Sequence, residues 1–161
     1  MTNETTLHLM CGKMASGKST LATSLAKNNK TILIVEDEWL SKLYPDEIKS
    51  IRDYINYSSR LHNIIKPHVV TLLKEGISVV LDFPANTTKQ RNKLRIIFEQ
   101  ANAAHTLHYV EASNTKCKQQ LMKRNQSSPD QMAFTTEEEF DTINQYFQAP
   151  SDAENFFIIR H

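Results

Sequence analysis

Apolar and polar positions fall in alternating blocks along this chain. Five short runs rich in β-branched and aliphatic residues read as strands: Leu7 to Cys11, Thr31 to Val35, Ile77 to Leu81, Leu107 to Glu111 and Phe156 to Ile159. Between them the spacing turns helical, as with Leu21 and Leu25 on one face after the first run. Ile32-Leu33-Ile34-Val35 and Val79-Val80-Leu81 are apolar at successive positions, as expected of parallel strands covered on both faces. The alternation of strand and helix predicts an α/β fold with a doubly wound parallel sheet.

Punctuation residues divide the blocks. Gly76 follows Leu72-Leu73-Lys74-Glu75 as a helix stop. Thr87 with Gln90, and Thr136 with Glu139, have capping-box spacing, and Asn114 is placed to cap the helix carrying Cys117 and Leu121. Pro67 predicts that the segment from Asp46 to Glu75 is divided or kinked into two helices. Residues 125–135, polar and containing Pro129, have no periodicity and form the candidate lid. The 161 residues read as one domain, 1–161, with that lid inside it.

Glycine marks the chemistry. The chain has three glycines, where ordinary usage of ~7 per cent would give about eleven. Two of them belong to Gly12-Lys13-Met14-Ala15-Ser16-Gly17-Lys18-Ser19, a complete GxxxxGK[ST] loop. Between a strand and a helix, such a loop turns its backbone N–H groups inward on phosphate oxygens, and the helix N-terminus adds partial positive charge. Lys18 would bridge the β- and γ-phosphates, the Ser19 hydroxyl would sit on Mg²⁺, and Thr20 would reach the α-phosphate.

In open sheets of this type, ligands bind beyond the carboxyl ends of the strands, which points to Asp82 and Asp37. Asp82 ends the apolar run Ser78-Val79-Val80-Leu81, as a Walker B carboxylate does, and is the second candidate for Mg²⁺. Asp37 follows the second strand and suits a base that orients an attacking hydroxyl and takes its proton, although aspartate is also a favoured N-cap. Arg124, at the end of the helix before the lid, is a candidate to offset charge on the transferring oxygens; Lys123 beside it is a weaker one. Arg91, Arg60, His62 and Trp39 are candidates for substrate contact, each with a competing reading as helix surface or core. Tyr54 and Tyr57 stand beside Trp39 as further walls of an acceptor pocket.

Composition narrows the partners. The chain is 40% hydrophobic and 23% charged with a net charge of +1, so no global field recruits a polynucleotide or a membrane surface. No window reaches the ~18 apolar residues of a membrane span. Cys11 and Cys117 form neither a disulfide framework nor a zinc spacing, and a cytoplasmic protein is expected. A guanine-nucleotide switch is excluded: Asn92-Lys93-Leu94-Arg95 lacks the aspartate of a base reader, and Phe83-Pro84-Ala85 follows Asp82 where a glycine motif is needed. Asp82-Phe83 likewise lacks the Asp-Glu pair of an oligomeric motor.

Cys11 to Ala22, with Asp37, Val80-Leu81-Asp82 and Arg91 in the same order, resembles the small P-loop kinases described as AAA-domain ATP-binding proteins. Zeta toxins, the kinase domain of phage polynucleotide kinase and chloramphenicol phosphotransferase belong to that group. The resemblance extends through Thr136-Glu137-Glu138-Glu139-Phe140-Asp141 to Tyr146-Phe147 and Pro150. It implies a P-loop NTPase three-layer sandwich with strand order 2-3-1-4-5, ATP and Mg²⁺, and transfer of the γ-phosphoryl group to a hydroxyl of a small molecule. The family's base falls on Asp37 and its lid arginine on Arg124, which with residues 12–20 would hold the nucleotide. One departure stands out: such lids often carry two or more arginines, and residues 125–135 carry none. A nucleotide-binding regulatory protein with weak or no transfer is therefore the alternative.

Overall fold

The computed structural model describes residues 4–127 and 136–161. Its strands are β1 (Thr6–Cys11), β2 (Thr31–Val35), β3 (Ser78–Asp82), β4 (Ala104–Tyr109) and β5 (Ile158–Arg160). They form one parallel sheet in the order β2-β3-β1-β4-β5, the order the resemblance implied. The helices are α1 (Lys18–Leu25), α2 (Glu36–Leu43), α3 (Ile51–Lys74), α4 (Thr88–Ala101), α5 (Asn114–Ser127) and α6 (Glu137–Asn144).

Successive side chains of β1 point to opposite faces of the sheet, and both faces are covered. Leu7, Leu9 and Cys11 join Leu61, Ile65, Val69 and Leu73 of α3, and Leu94, Ile97 and Phe98 of α4, in the main core. Met10 faces the other way, with Val80 and Ala22, backed by Leu21 and Leu25 of α1. A third cluster, Cys117 and Leu121 of α5 with Phe140 of α6, packs against Met14 and Ala15 of the glycine loop. No helix among the described residues is long and apolar enough to cross a membrane.

Pro67 does not divide the segment it sits in, and the expectation of two helices is corrected. The helix α3 runs unbroken through it because Leu61, Ile65, Val69 and Leu73, four apart, bury one continuous stripe, while Pro67 lies on the exposed side. There its missing N–H faces water, and the apolar burial outweighs the cost of the ring. At the end of α3, Gly76 stops the helix with φ +78, its N–H bonding Leu73 O while the N–H of Ile77 bonds Leu72 O.

Strand β4 begins earlier than the apolar run suggested, because polar residues fill its first half. Thr106 and His108 are nonetheless buried, and all six residues of β4 pair with β1. Ser113, not Asn114, caps α5 by accepting from the N–H of Lys116, leaving the Asn114 side chain for other contacts. The box at Thr136 and Glu139 is complete, whereas Gln90 accepts from Asn86 N rather than from its own cap, Thr87. Of the candidate lid, residues 125–127 complete α5 and the remainder lies outside the described residues.

Candidate nucleotide site

The loop between β1 and α1 has the shape its glycines require. Gly17 adopts φ +106, in the left-handed region, and Ala15 shares it at φ +59. A Cβ at Gly12 would lie 2.7 Å from Ser16 Oγ and 2.8 Å from Val110 O, so no larger residue fits there. The Gly12 N–H donates to Asn86 Oδ1 at 2.9 Å, which ties the loop to the segment after β3. Asn86 had no mark in the sequence beyond its place one residue before a helix cap.

Inside the loop, Ser16 Oγ is buried and has no hydrogen-bond partner among the described residues. An orphaned hydroxyl is costly to bury, and inside a ring of loop N–H groups an anionic oxygen would satisfy it. The Lys18 ammonium turns back onto the Gly12 carbonyl. Burial pulls the Lys18 amine down, and Asp82, then Cys11 and Asp37, oppose that effect. The residues present therefore fit a bound polyphosphate. Thr20 is exposed on the first turn of α1, and Lys13 donates to Asn114 Oδ1 at 2.8 Å with its ammonium 5.7 Å from the Phe147 ring centroid.

The two acidic candidates converge on this loop. Ser19 Oγ donates to Asp82 Oδ2 at 3.0 Å. Asp37, in the first turn of α2, is solvent-accessible at the cleft yet crowded by protein. That crowding raises its carboxyl above the ordinary value, Glu36 and Asp82 add to the rise, and Lys18 and Arg124 oppose it. Lys18, Asp37 and Asp82 thus act on one another at the carboxyl ends of β1, β2 and β3, and Arg124 acts on Asp37 from the last turn of α5.

Other candidates are placed elsewhere. Arg91, expected to touch substrate, is fully buried. Its guanidinium grips Glu154 through Nε at 2.8 Å and Nη2 at 3.1 Å, and its Nη1 donates to Ala85 O and Gln148 O. The reading of Arg91 as a substrate contact is corrected: its donors are spent within the core. Arg60 is exposed on α3 with its guanidinium 5.3 Å from the Tyr57 ring centroid, and Trp39 is exposed on α2. His62 is instead drawn beneath the cleft, where its Nε2 meets Glu36 Oε2 at 2.6 Å.

Glu36 itself was missed. It is 1% exposed, with the Tyr54 hydroxyl donating to its other oxygen. In Glu36-Asp37-Glu38 all three carboxylates look alike, and only the distant partners on α3 single out the first.

Comparison with known proteins agrees with this fold. The chain is similar to the structure of a kinase candidate from Chloroflexus aurantiacus, with TM-score 0.75 and 15% identity over 98% of this chain and 88% of that one. It is similar to APS kinase CysC of Mycobacterium tuberculosis in complex with AMPPNP and APS, with TM-score 0.64 and 17% identity over 98% and 88% of the two chains. It is also similar to Kti12 of Chaetomium thermophilum in complex with ADP-AlF3, with TM-score 0.64 and 14% identity over 96% and 88%. At these identities the likeness is one of fold. Among curated proteins none matches the chain. The AAA-domain family matches residues 7–150, from β1 to the segment before β5, and the chain belongs to that family.

Proposed function

We propose that the protein binds ATP with Mg²⁺ and transfers the γ-phosphoryl group to a hydroxyl of a small molecule. The observation that carries this reading is the meeting of Lys18, Asp82 and Asp37 in one cleft beside the phosphate loop. A binding module needs the loop; it has no need of a second carboxylate at the end of the neighbouring strand.

The loop N–H groups and Ser16 would hold the phosphates, and Lys18 would swing from the Gly12 carbonyl to the β- and γ-oxygens. Ser19 and Asp82, already in contact, are the oxygens that would hold Mg²⁺. When bound there, the ion would neutralise negative charge on the phosphates. The acceptor oxygen attacks phosphorus, the bond to the ADP oxygen breaks, and the acceptor's proton passes to the Asp37 carboxylate. The crowding that raises the Asp37 carboxyl above its ordinary value makes it a stronger base. Arg124 acts on Asp37 from the end of α5, which supports a role for it beside the transferring oxygens. The acceptor is a small molecule in this reading: net charge is +1, against the basic surface a polynucleotide would call for.

One observation favours a second reading. With Arg91 committed to Glu154, charge compensation falls on Lys18 and Arg124, a thin set for fast transfer. An ATP-binding regulatory or interaction protein would manage with that.

The test uses γ-labelled ATP and Mg²⁺ with wild type and Asp37→Asn against a fractionated small-molecule extract, following label by mass spectrometry. Wild type is expected to make a labelled product that the variant makes about 10²–10⁴-fold more slowly with ATP affinity retained. ATP binding without product would favour the regulatory reading.

A further inference from the structure

The transfer chemistry leaves one buried carboxylate unused. Glu36 opens α2 immediately before Asp37, is 1% exposed, and has both oxygens engaged by α3. The Tyr54 hydroxyl donates to Oε1, and His62 Nε2 lies 2.6 Å from Oε2. An ionised carboxylate is buried at high cost unless donors surround it, and these two supply that need. Tyr54 stays a donor, because burial, then the charge and hydrogen bond of Glu36, push its phenol well above the ordinary 10.

His62 is pinned from the other side as well. Its ring lies 4.9 Å from that of Phe83, the residue after Asp82. The imidazole therefore sits between the residue preceding Asp37 and the residue following Asp82, by the ends of β2 and β3. A neutral imidazole has one donor nitrogen and one acceptor nitrogen. With Nε2 against a carboxylate, the hydrogen belongs on Nε2 and the lone pair on Nδ1. The His62 side chain is 23% exposed, and its Nδ1 makes no hydrogen bond among the described residues.

We propose that His62 is an acceptor-binding residue: Glu36 fixes it as the Nε2–H tautomer, and its Nδ1 accepts a hydrogen bond from a second donor on the phosphoryl acceptor, beside the hydroxyl that Asp37 deprotonates. This rests on the transfer reading and narrows its substrate class. A compound with two donors, such as a sugar or another polyol, satisfies both groups, whereas a simple alcohol leaves the Nδ1 lone pair unmet as water is expelled.

His62→Gln is the informative variant, since the amide nitrogen of Gln can still donate to Glu36 while the Nδ1 acceptor is lost. Label transfer from γ-labelled ATP would be measured across dilutions of the small-molecule extract, and with glycerol and glucose as defined polyol probes. The variant is expected to need about tenfold more extract for half-maximal labelling, the loss of roughly one hydrogen bond, with ATP affinity and the saturated rate within about twofold of wild type. The labelled products are expected to be polyol phosphates. Nitrogen-15 NMR of wild type should show the Nε2–H tautomer at His62, and Glu36→Gln should lose that preference. Equal labelling by His62→Gln and wild type, an Nδ1–H tautomer, or a labelled product with a single hydroxyl would each overturn the role of His62 alone. A wild-type protein that labels nothing would overturn the transfer reading, and this inference with it.

Discussion

Arg91 and Glu154, 63 residues apart, close the core with a two-pronged ion pair: Nε to Oε1 at 2.8 Å and Nη2 to Oε2 at 3.1 Å. Arg91 also donates to Gln148 O at 2.8 Å, and Arg95 donates to the Glu154 carbonyl. Two guanidinium groups thus fasten the stretch before β5 to α4. Replacing a single partner strands the other charge in a poorly solvated place, at a cost of about 3–5 kcal/mol.

Arg91→Ala is therefore expected to lower stability in urea unfolding by about that amount, and Arg91→Lys to recover little of it, since an ammonium cannot match the planar fork. The folded fraction should retain its transfer activity, whereas a substrate contact at Arg91 would slow the acceptor step. A stable Arg91→Ala protein that fails only in transfer would restore Arg91 to the site.

The contact between Ser19 and Asp82, 3.0 Å long, yields a prediction of opposite kind. In Asp82→Asn the fold should hold, because the residue is only partly buried at a strand end. ATP affinity in Mg²⁺ is expected to fall at least about tenfold, the equivalent of about 1.4 kcal/mol. In EDTA it should match wild type or exceed it, since a negative charge near the phosphates has gone. Titrations of a fluorescent ATP analogue under both conditions decide the matter; equal losses with and without Mg²⁺ would remove Asp82 from the metal site.

What could be read in the sequence were features whose cause is local. The glycine loop, the apolar run ending at Asp82 and the stop at Gly76 each depend on residues within a few positions, and each formed where expected. Arg91 and Glu36 could not be read, because a charge on an amphipathic helix looks exposed until its partner is known. Those partners lie 63 residues away for Arg91, and 18 and 26 away for Glu36. The start of strand β4 hid for the related reason that its histidines have distant partners: His105 accepts from Phe157 N, and His108 meets His8 and His161.

Pro67 shows tertiary packing overruling a local rule, and the conflict is measurable. A proline inside a helix costs about 3 kcal/mol relative to alanine, of which about 1 kcal/mol is returned by restricting the unfolded chain. Pro67 is exposed, so replacing it disturbs no packing. Pro67→Ala should raise stability in urea unfolding by about 2 kcal/mol. A loss of stability would show that the helix depends on the proline ring.

The histidines of the sheet make the last prediction. His8 Nδ1 and His108 Nε2 are 3.0 Å apart, and His108 Nδ1 and His161 Nε2 are also 3.0 Å apart, so three imidazoles form a chain across β1, β4 and the residue after β5. Each of the two bonds holds one proton, a condition that three neutral rings meet. Putting a second nitrogen-bound hydrogen on His108 requires both neighbours to act as acceptors. Burial, then the charges of His8 and His161, lower His108 from 6.5 to about 4. The unfolded chain takes up that proton near 6.5 and the folded one resists until about 4, so the stability present above 6.5 declines as pH falls through this window and levels off below it. One proton corresponds to a slope of up to about 1.4 kcal/mol per pH unit. His8 and His105, also lowered by burial, add to the decline in the same direction. Urea unfolding from pH 8 to 4 should show this fall in wild type and a shallower one in His108→Leu, which has no ring to protonate; equal slopes would mean that the folded protein protonates His108 as readily as the unfolded chain.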